Sequence, residues 1–220
     1  MENHSFCRSQ KGIRKSVVPA RCTRAGTISL GSLLLLLPQI ASAHGTVEGL
    51  DEFVNGLLHP LFSPAHVLVL LAFGFWIGTH PPIRLRSPLP AFALGALAGL
   101  LCAWKGMLSP VYQPVLLGVA MLAAIVVAAD FKLPLSVRVT CGVIAGFLLG
   151  LDSPPDLAGN SQAIFKTLIG TWIGLYIWLV NPAFYTSLLP QKKWASYAVR
   201  IAASWIIAIA VMVLAFAFRK

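Results

Sequence analysis

From about residue 53 onward the chain alternates between long apolar blocks and short polar breaks. The blocks cover residues 53–78, 88–104, 111–129, 133–151, 163–180 and 197–218. Their lengths approach the ~20 apolar residues that cross a hydrocarbon core of about 30 Å. Backbone groups in lipid must find partners within the protein, so blocks this long predict helices; a barrel needs short alternating strands. The breaks are compact: His80-Pro81-Pro82, Ser109-Pro110, Asp152 to Asn160, and Leu189-Pro190. They leave no space for a second folded domain. The predicted fold class is all-α, a polytopic membrane bundle of six transmembrane helices.

Upstream the pattern changes. Arg8, Lys11, Arg14, Lys15, Arg21 and Arg24 precede a short apolar run, Leu30 to Leu37, then Pro38 and Ala41-Ser42-Ala43. A basic stretch, an apolar core too short to span and an A-x-A site together predict a secretory signal peptide. The expected division is a signal peptide over 1–43, cleaved after Ala43, and a membrane domain over 44–220. An uncleaved signal anchor would leave the same topology.

Composition agrees with the membrane reading. Apolar residues make up 57% and charged residues 11%, against about a quarter charged in soluble domains. The formal charge of +10 is concentrated in the signal segment, so it does not argue for a nucleic-acid partner. Cleavage would leave only Cys102 and Cys141, each within an apolar block, and no CxxC or disulfide framework.

Export of the start of the mature chain places alternate breaks on opposite sides of the membrane. The inside breaks would then carry Arg84, Arg86, Lys132, Arg138, Lys192, Lys193 and Arg200 with one acid, Asp130. The outside segments would carry Lys105, Lys166, Arg219 and Lys220 with Glu48, Asp51, Glu52, Asp152 and Asp156. This bias follows the positive-inside rule. The implied location is the bacterial inner (cytoplasmic) membrane, with the mature N-terminus exterior and the lipid bilayer as a partner. The same assignment gathers the acids on the exterior, where Glu48, Asp51, Asp152 and Asp156 are candidate cation-collecting groups.

Gly142, Gly146 and Gly150 form a smooth helix face of the kind used for close packing. The tryptophans mostly fall near block ends, as interfacial anchors do. Asn181-Pro182 reads as a helix stop.

Candidate chemistry concentrates in the first block. His44, His59, His66 and His80 all lie between positions 44 and 80, and no histidine follows. Ionisable groups inside a membrane helix are functional candidates, and imidazole suits nickel, cobalt, copper and zinc. His59 and His66 are seven apart, which on an unbroken helix separates them by about 10 Å, too far for one ion. Either they are successive stations or the helix breaks at Pro60 and Pro64, which free the carbonyls of Gly56 and Pro60. Histidines bonded to neighbouring helices are the alternative. Cleavage would turn His44 into the N-terminal residue, whose amine and ring nitrogen form a chelate that no internal histidine offers.

The run Asn55-Gly56-Leu57-Leu58-His59-Pro60-Leu61-Phe62-Ser63-Pro64-Ala65-His66 resembles the first-span motif of the HupE/UreJ family, a histidine followed after five residues by aspartate-histidine. The start Ala43-His44-Gly45 and the closing segment around Arg200, Ser204 and Trp205 are similar too. Members are regarded as nickel permeases associated with hydrogenase and urease maturation. The resemblance implies that His59 and His66 are the motif histidines. It departs from the pattern at Ala65, where the family has its aspartate, at Ser63, where it has glycine, and in lacking the later F-H-G run.

No nucleotide-binding loop, GxSxG or HExxH run is present, and an enzymatic role has no support. Asp152 and Asp156 either end a helix in a Pro-rich turn or complete a cation site near His59. The leading expectation is a permease for a divalent transition metal, probing first for nickel, with passage along the first helix. The alternative is a non-transporting membrane subunit that scaffolds a larger complex with other membrane subunits. No resident cofactor is required beyond a bound transition metal.

Overall fold

The computed structural model describes residues 50–79, 88–108, 111, 113–154, 160–190 and 192–218. The signal segment 1–43, His44, Glu48, His80 with its loop, the Ser109-Pro110 break and Asp156 lie outside the described residues. The described residues form seven helices and no strand: α1 (Glu52–Phe62), α2 (Pro64–Gly78), α3 (Pro88–Trp104), α4 (Gln113–Ala128), α5 (Leu135–Leu151), α6 (Ser161–Ser187) and α7 (Lys193–Ala217).

The first apolar block is two helices, not one. Pro64 disfavours helical backbone at the residue before it, and Ser63 is extended (φ −101°, ψ 115°). Pro64 then opens α2 at a position where its missing N–H costs nothing. The two helices meet at a bend of 78°.

α6 and α7 are long and apolar enough to cross a membrane, and α1 with α2 joins them if the bent pair is one span. α3, α4 and α5 have 17, 16 and 17 residues. At ~1.5 Å per residue they reach about 25 Å, short of a core of about 30 Å. The six expected spans therefore correspond to two or three helices of spanning length and three shorter apolar ones.

The Asn181-Pro182 stop is also corrected, since α6 continues through it to Ser187. The Pro182 ring sits where Gly74 of α2 has no side chain, with Pro182 Cβ 2.9 Å from the place a Gly74 Cβ would occupy. The amide of Asn181 donates to the Ile177 carbonyl at 2.8 Å. A neighbour shaped for the ring and a side chain that bonds back along the helix let the proline stay inside it.

Glycines set which helices touch. A Cβ on Gly95 or Gly99 of α3 would overlap the carbonyls of Val143 or Phe147 of α5, and Gly146 and Gly150 of α5 stand likewise against Phe92 and Ala96 of α3. Both numberings rise together, so α3 and α5 are parallel. Gly170 and Gly174 of α6 lie against Phe53 and Leu57 of α1 in the same sense. α4 and α7 run oppositely, because Arg200 near the start of α7 bonds Ala128 at the end of α4. These relative directions are those that successive blocks alternating in direction would give. Val69, Phe73, Phe92, Leu116, Leu149, Leu175 and Leu179 fill the core between these backbones.

Three tryptophans are not interfacial anchors. Trp76 is buried, Trp172 donates to the Ala93 carbonyl of α3 at 2.9 Å, and Trp178 donates to the Leu57 carbonyl of α1 at 3.3 Å. The indoles of Trp172 and Trp178 tie α6 to its neighbours. Trp104, Trp194 and Trp205 remain exposed.

Candidate functional site

α1 is held at both ends. Asp51 caps its first turn by accepting the Phe53 amide at 3.2 Å, and its other oxygen accepts from Lys166 of α6 at 3.2 Å. Glu52 adds a looser pair with Lys166 at 3.8 Å. The Lys166 ammonium, followed by the Phe53 amide, holds the Asp51 carboxyl below the ordinary carboxylate range. Asp51 is thus engaged as a cap and ion-pair partner. One turn on, Gly56 lets α1 meet α6 at backbone distance, its missing Cβ falling 2.9 Å from the Thr171 nitrogen.

With α1 pinned, the break at Ser63 folds α2 back so that two histidines seven apart become neighbours. The His59 and His66 rings approach to 5.8 Å between centroids, 67° apart in orientation. An unbroken helix would hold them about 10 Å apart along its axis. His66 is fully buried and His59 half-buried.

His66 also has a partner from 86 positions away. Its Nε2 lies 3.0 Å from Oδ2 of Asp152, the residue that ends α5. Asp152 is 7% exposed and Ser153 beside it 3%. Asp152 ends its helix with its amide on the Leu148 carbonyl, while Ser153 Oγ donates to the Leu149 carbonyl at 2.8 Å. The turn that stops α5 thereby delivers a carboxylate to the interior, not to an open exterior surface.

With Asp152 ionised, Nε2–H of a neutral His66 donates to Oδ2, leaving the lone pair on Nδ1. That Nδ1 is buried and makes no hydrogen bond among the described residues. A carboxylate behind an imidazole fixes its tautomer and raises the basicity of the far nitrogen, as it does for histidines that bind metals. Asp152 therefore stands in the supporting role while the Nδ1 of His66 makes no hydrogen bond among the described residues. Ala65, where the resemblance leads one to expect a carboxylate, is 0% exposed and packed in the core. Among the described residues, no three His, Cys, Asp or Glu side chains converge closely enough to hold a metal ion.

Sequence reasoning singled out His59, His66 and Asp152, and placed Asp152 near His59. The contact is with His66. The tryptophan bonds that brace α1 and α6 had no sequence signal beyond the residue type. Asp156, Glu48 and His44 lie outside the described residues, so the geometry of the candidate site rests on His59, His66 and Asp152.

A HupE protein of Rhizobium leguminosarum bv. viciae is 30% identical over 125 residues, covering 54% of this chain and 64% of that relative. The alignment thus spans less than two thirds of the relative's length. No solved structure matches the chain. The HupE / UreJ protein family model matches residues 32–214, covering all seven helices but for the last few residues of α7. On that match the chain belongs to the HupE/UreJ family, whose members are membrane transporter and accessory proteins and not enzymes.

Proposed function

We propose that the protein carries a divalent transition-metal cation, nickel in the first instance, across the bacterial inner membrane, using His59 and His66 as its central station. One observation supports this above the others: a fully buried imidazole backed by a buried carboxylate at 3.0 Å, with its second nitrogen making no hydrogen bond among the described residues. Burying a carboxylate in a membrane bundle is costly unless it is paired or serves transport. Two nitrogens with one supporting carboxylate form a weak site, which suits cargo that must leave as readily as it enters. In this reading Asp152 supplies from α5 the negative charge that Ala65 does not supply from α2.

The remaining assignments belong to the same proposal. Residues 1–43 act as a signal peptide, and 44–220 cross the membrane six times with the mature N-terminus outside. The alternating helix directions support that count. His44, with Glu48 and Asp156 in the exterior segments, gathers cations before the His59 station, while Asp51 is taken by its cap and Lys166.

The test is whole-cell uptake of labelled nickel, cobalt and copper, with and without the chain, and with His59→Ala and His66→Ala. Each substitution should abolish chain-dependent uptake while membrane expression persists. Unchanged uptake in the double variant would rule the station out. The absence of a third converging ligand among the described residues favours a second reading, an accessory subunit that no longer transports. Recovery of a stable complex in mild detergent, from cells whose metal uptake does not depend on the chain, would select it.

A further inference from the structure

At the bundle end opposite Asp51, where α2, α4 and α6 finish and α7 begins, the surface is indented by an open cavity of about 290 Å³. That is the volume of about ten waters. Lys192, Lys193 and Arg200 line it together with a single acid, Asp130, and the hydroxyls of Thr186 and Ser196. Among the described residues the ion pairs are those of His66 and Lys166 alone, so none of these four charges is neutralised by a salt bridge.

Several of these polar groups have capacity left for a ligand. The Arg200 Nε–H donates to the Ala128 carbonyl at 2.7 Å, which fixes the guanidinium and leaves its terminal N–H groups for another acceptor. Thr186 is 8% exposed, and its methyl packs by Gly78, 3.0 Å from where a Gly78 Cβ would stand. Its hydroxyl makes no hydrogen bond among the described residues. α7 opens at Lys192 with no side-chain cap, so its first amides stand at the rim of the same cavity and add their partial positive charge. Asp130 occupies a left-handed position (φ 57°) closing α4, with Phe131 N–H on the Val126 carbonyl and Asp130 N–H on the Val127 carbonyl. Glycine takes that position without strain; an aspartate there holds the cavity's net charge to that of two cations.

We propose that this cavity is a phosphate-binding site. Lysine and arginine meet phosphate oxygens through charge-assisted hydrogen bonds, and helix starts favour the same charge. Long cationic side chains at the ends of apolar helices lie at the depth of lipid headgroups. The phosphate is that of a lipid headgroup or a free anion.

The experiment uses the purified full chain in neutral detergent and follows its thermal unfolding. Three titrations are run: inorganic phosphate against chloride at matched ionic strength, phosphatidylglycerol, and diacylglycerol as the phosphate-free lipid. Saturable stabilisation by phosphate or phosphatidylglycerol, absent with chloride and diacylglycerol, is expected. A response to phosphatidylglycerol alone makes the source a headgroup; competition by inorganic phosphate makes the anion itself sufficient. Lys192→Gln with Lys193→Gln, both exposed and without structural bonds, should weaken binding about tenfold or more. Lys132→Gln removes a charge outside the cavity and should change nothing. An equal loss in Lys132→Gln, or no saturable response in any titration, overturns the site.

Discussion

Replacing Asp152 separates a supporting carboxylate from a mere helix terminator. In Asp152→Ala the backbone bonds that end α5 remain, because they come from the amide of the same residue. What is lost is the acceptor 3.0 Å from His66 Nε2. A buried donor without an acceptor costs about 1–3 kcal/mol in proteins generally, while a hydrogen bond between membrane helices contributes about 0.6 kcal/mol on average. The expected stability loss is therefore small, about 1 kcal/mol. The effect on cation binding should be larger. Loss of the group behind a metal-binding histidine typically costs 10–100-fold in affinity, or about 1.4–2.7 kcal/mol. Asp152→Asn keeps an oxygen that can accept from Nε2–H and loses only the charge, so its affinity should fall between wild type and the alanine variant. Nickel affinity by calorimetry on purified protein, with uptake in cells, reads both. If Asp152→Ala binds and transports as wild type does while His66→Ala abolishes both, the carboxylate contributes nothing and Asp152 only ends a helix.

The close approach of α1 to α6 is equally open to test. Gly56→Ala places a Cβ against the Thr167 carbonyl and 2.9 Å from the Thr171 nitrogen, backbone atoms that cannot rotate away; α1 should lift from α6, and uptake should fall along with thermal stability. Gly118→Ala in α4 meets nothing within 4 Å and should stabilise by up to about 1 kcal/mol through helix propensity, with uptake unchanged. Asp51 supplies the pH dependence. Its folded carboxyl titrates below the ordinary value of 3.8, so its contribution is complete above that value and disappears as pH falls through the lower, folded one. Acid unfolding followed by circular dichroism should lose that part of its pH dependence in Asp51→Asn.

Local rules fixed most of the fold's parts, and contacts far apart in sequence fixed what those rules could not reach. The apolar blocks located every helix, since length and hydropathy act within one segment. Of the two prolines that made a break in the first block one of two alternatives, Pro64 marks it, because a proline's effect on the residue before it is local as well, while Pro60 stays inside α1. Asn181-Pro182 misled for the opposite reason. Whether a proline ends a helix or sits inside it depends on what faces its ring, and that is Gly74, more than a hundred positions away. The tryptophans misled in the same way. An indole near a block end suits lipid headgroups as well as a neighbouring carbonyl, and only the packing of α6 against α1 and α3 decided for the carbonyls of Leu57 and Ala93.

The candidate site divides along the same line. His59 and His66 were legible because both lie in one block, and the break beside them was legible too. Asp152 could be seen as an acid at a helix end, but the histidine it would meet could not. Its destination depends on α3 and α5 running parallel at glycine contact, and on α5 stopping where α2 begins its own course. A carboxylate supplied from another helix leaves no trace in motif spacing, because the motif is defined along the chain and the charge acts through space. Ala65 alone reads as a ligand lost. Ala65 packed in the core, with Asp152 on the imidazole of the next residue, instead reads as a charge relocated. Introducing Ala65→Asp into Asp152→Ala puts the acid back on α2 and discriminates between these interpretations. Recovered nickel affinity would show that one carboxylate beside His66 is required and that either helix can supply it. Continued loss in a variant that still folds by circular dichroism would show that the position on α5 is what matters, and would refute the equivalence of the two carboxylates.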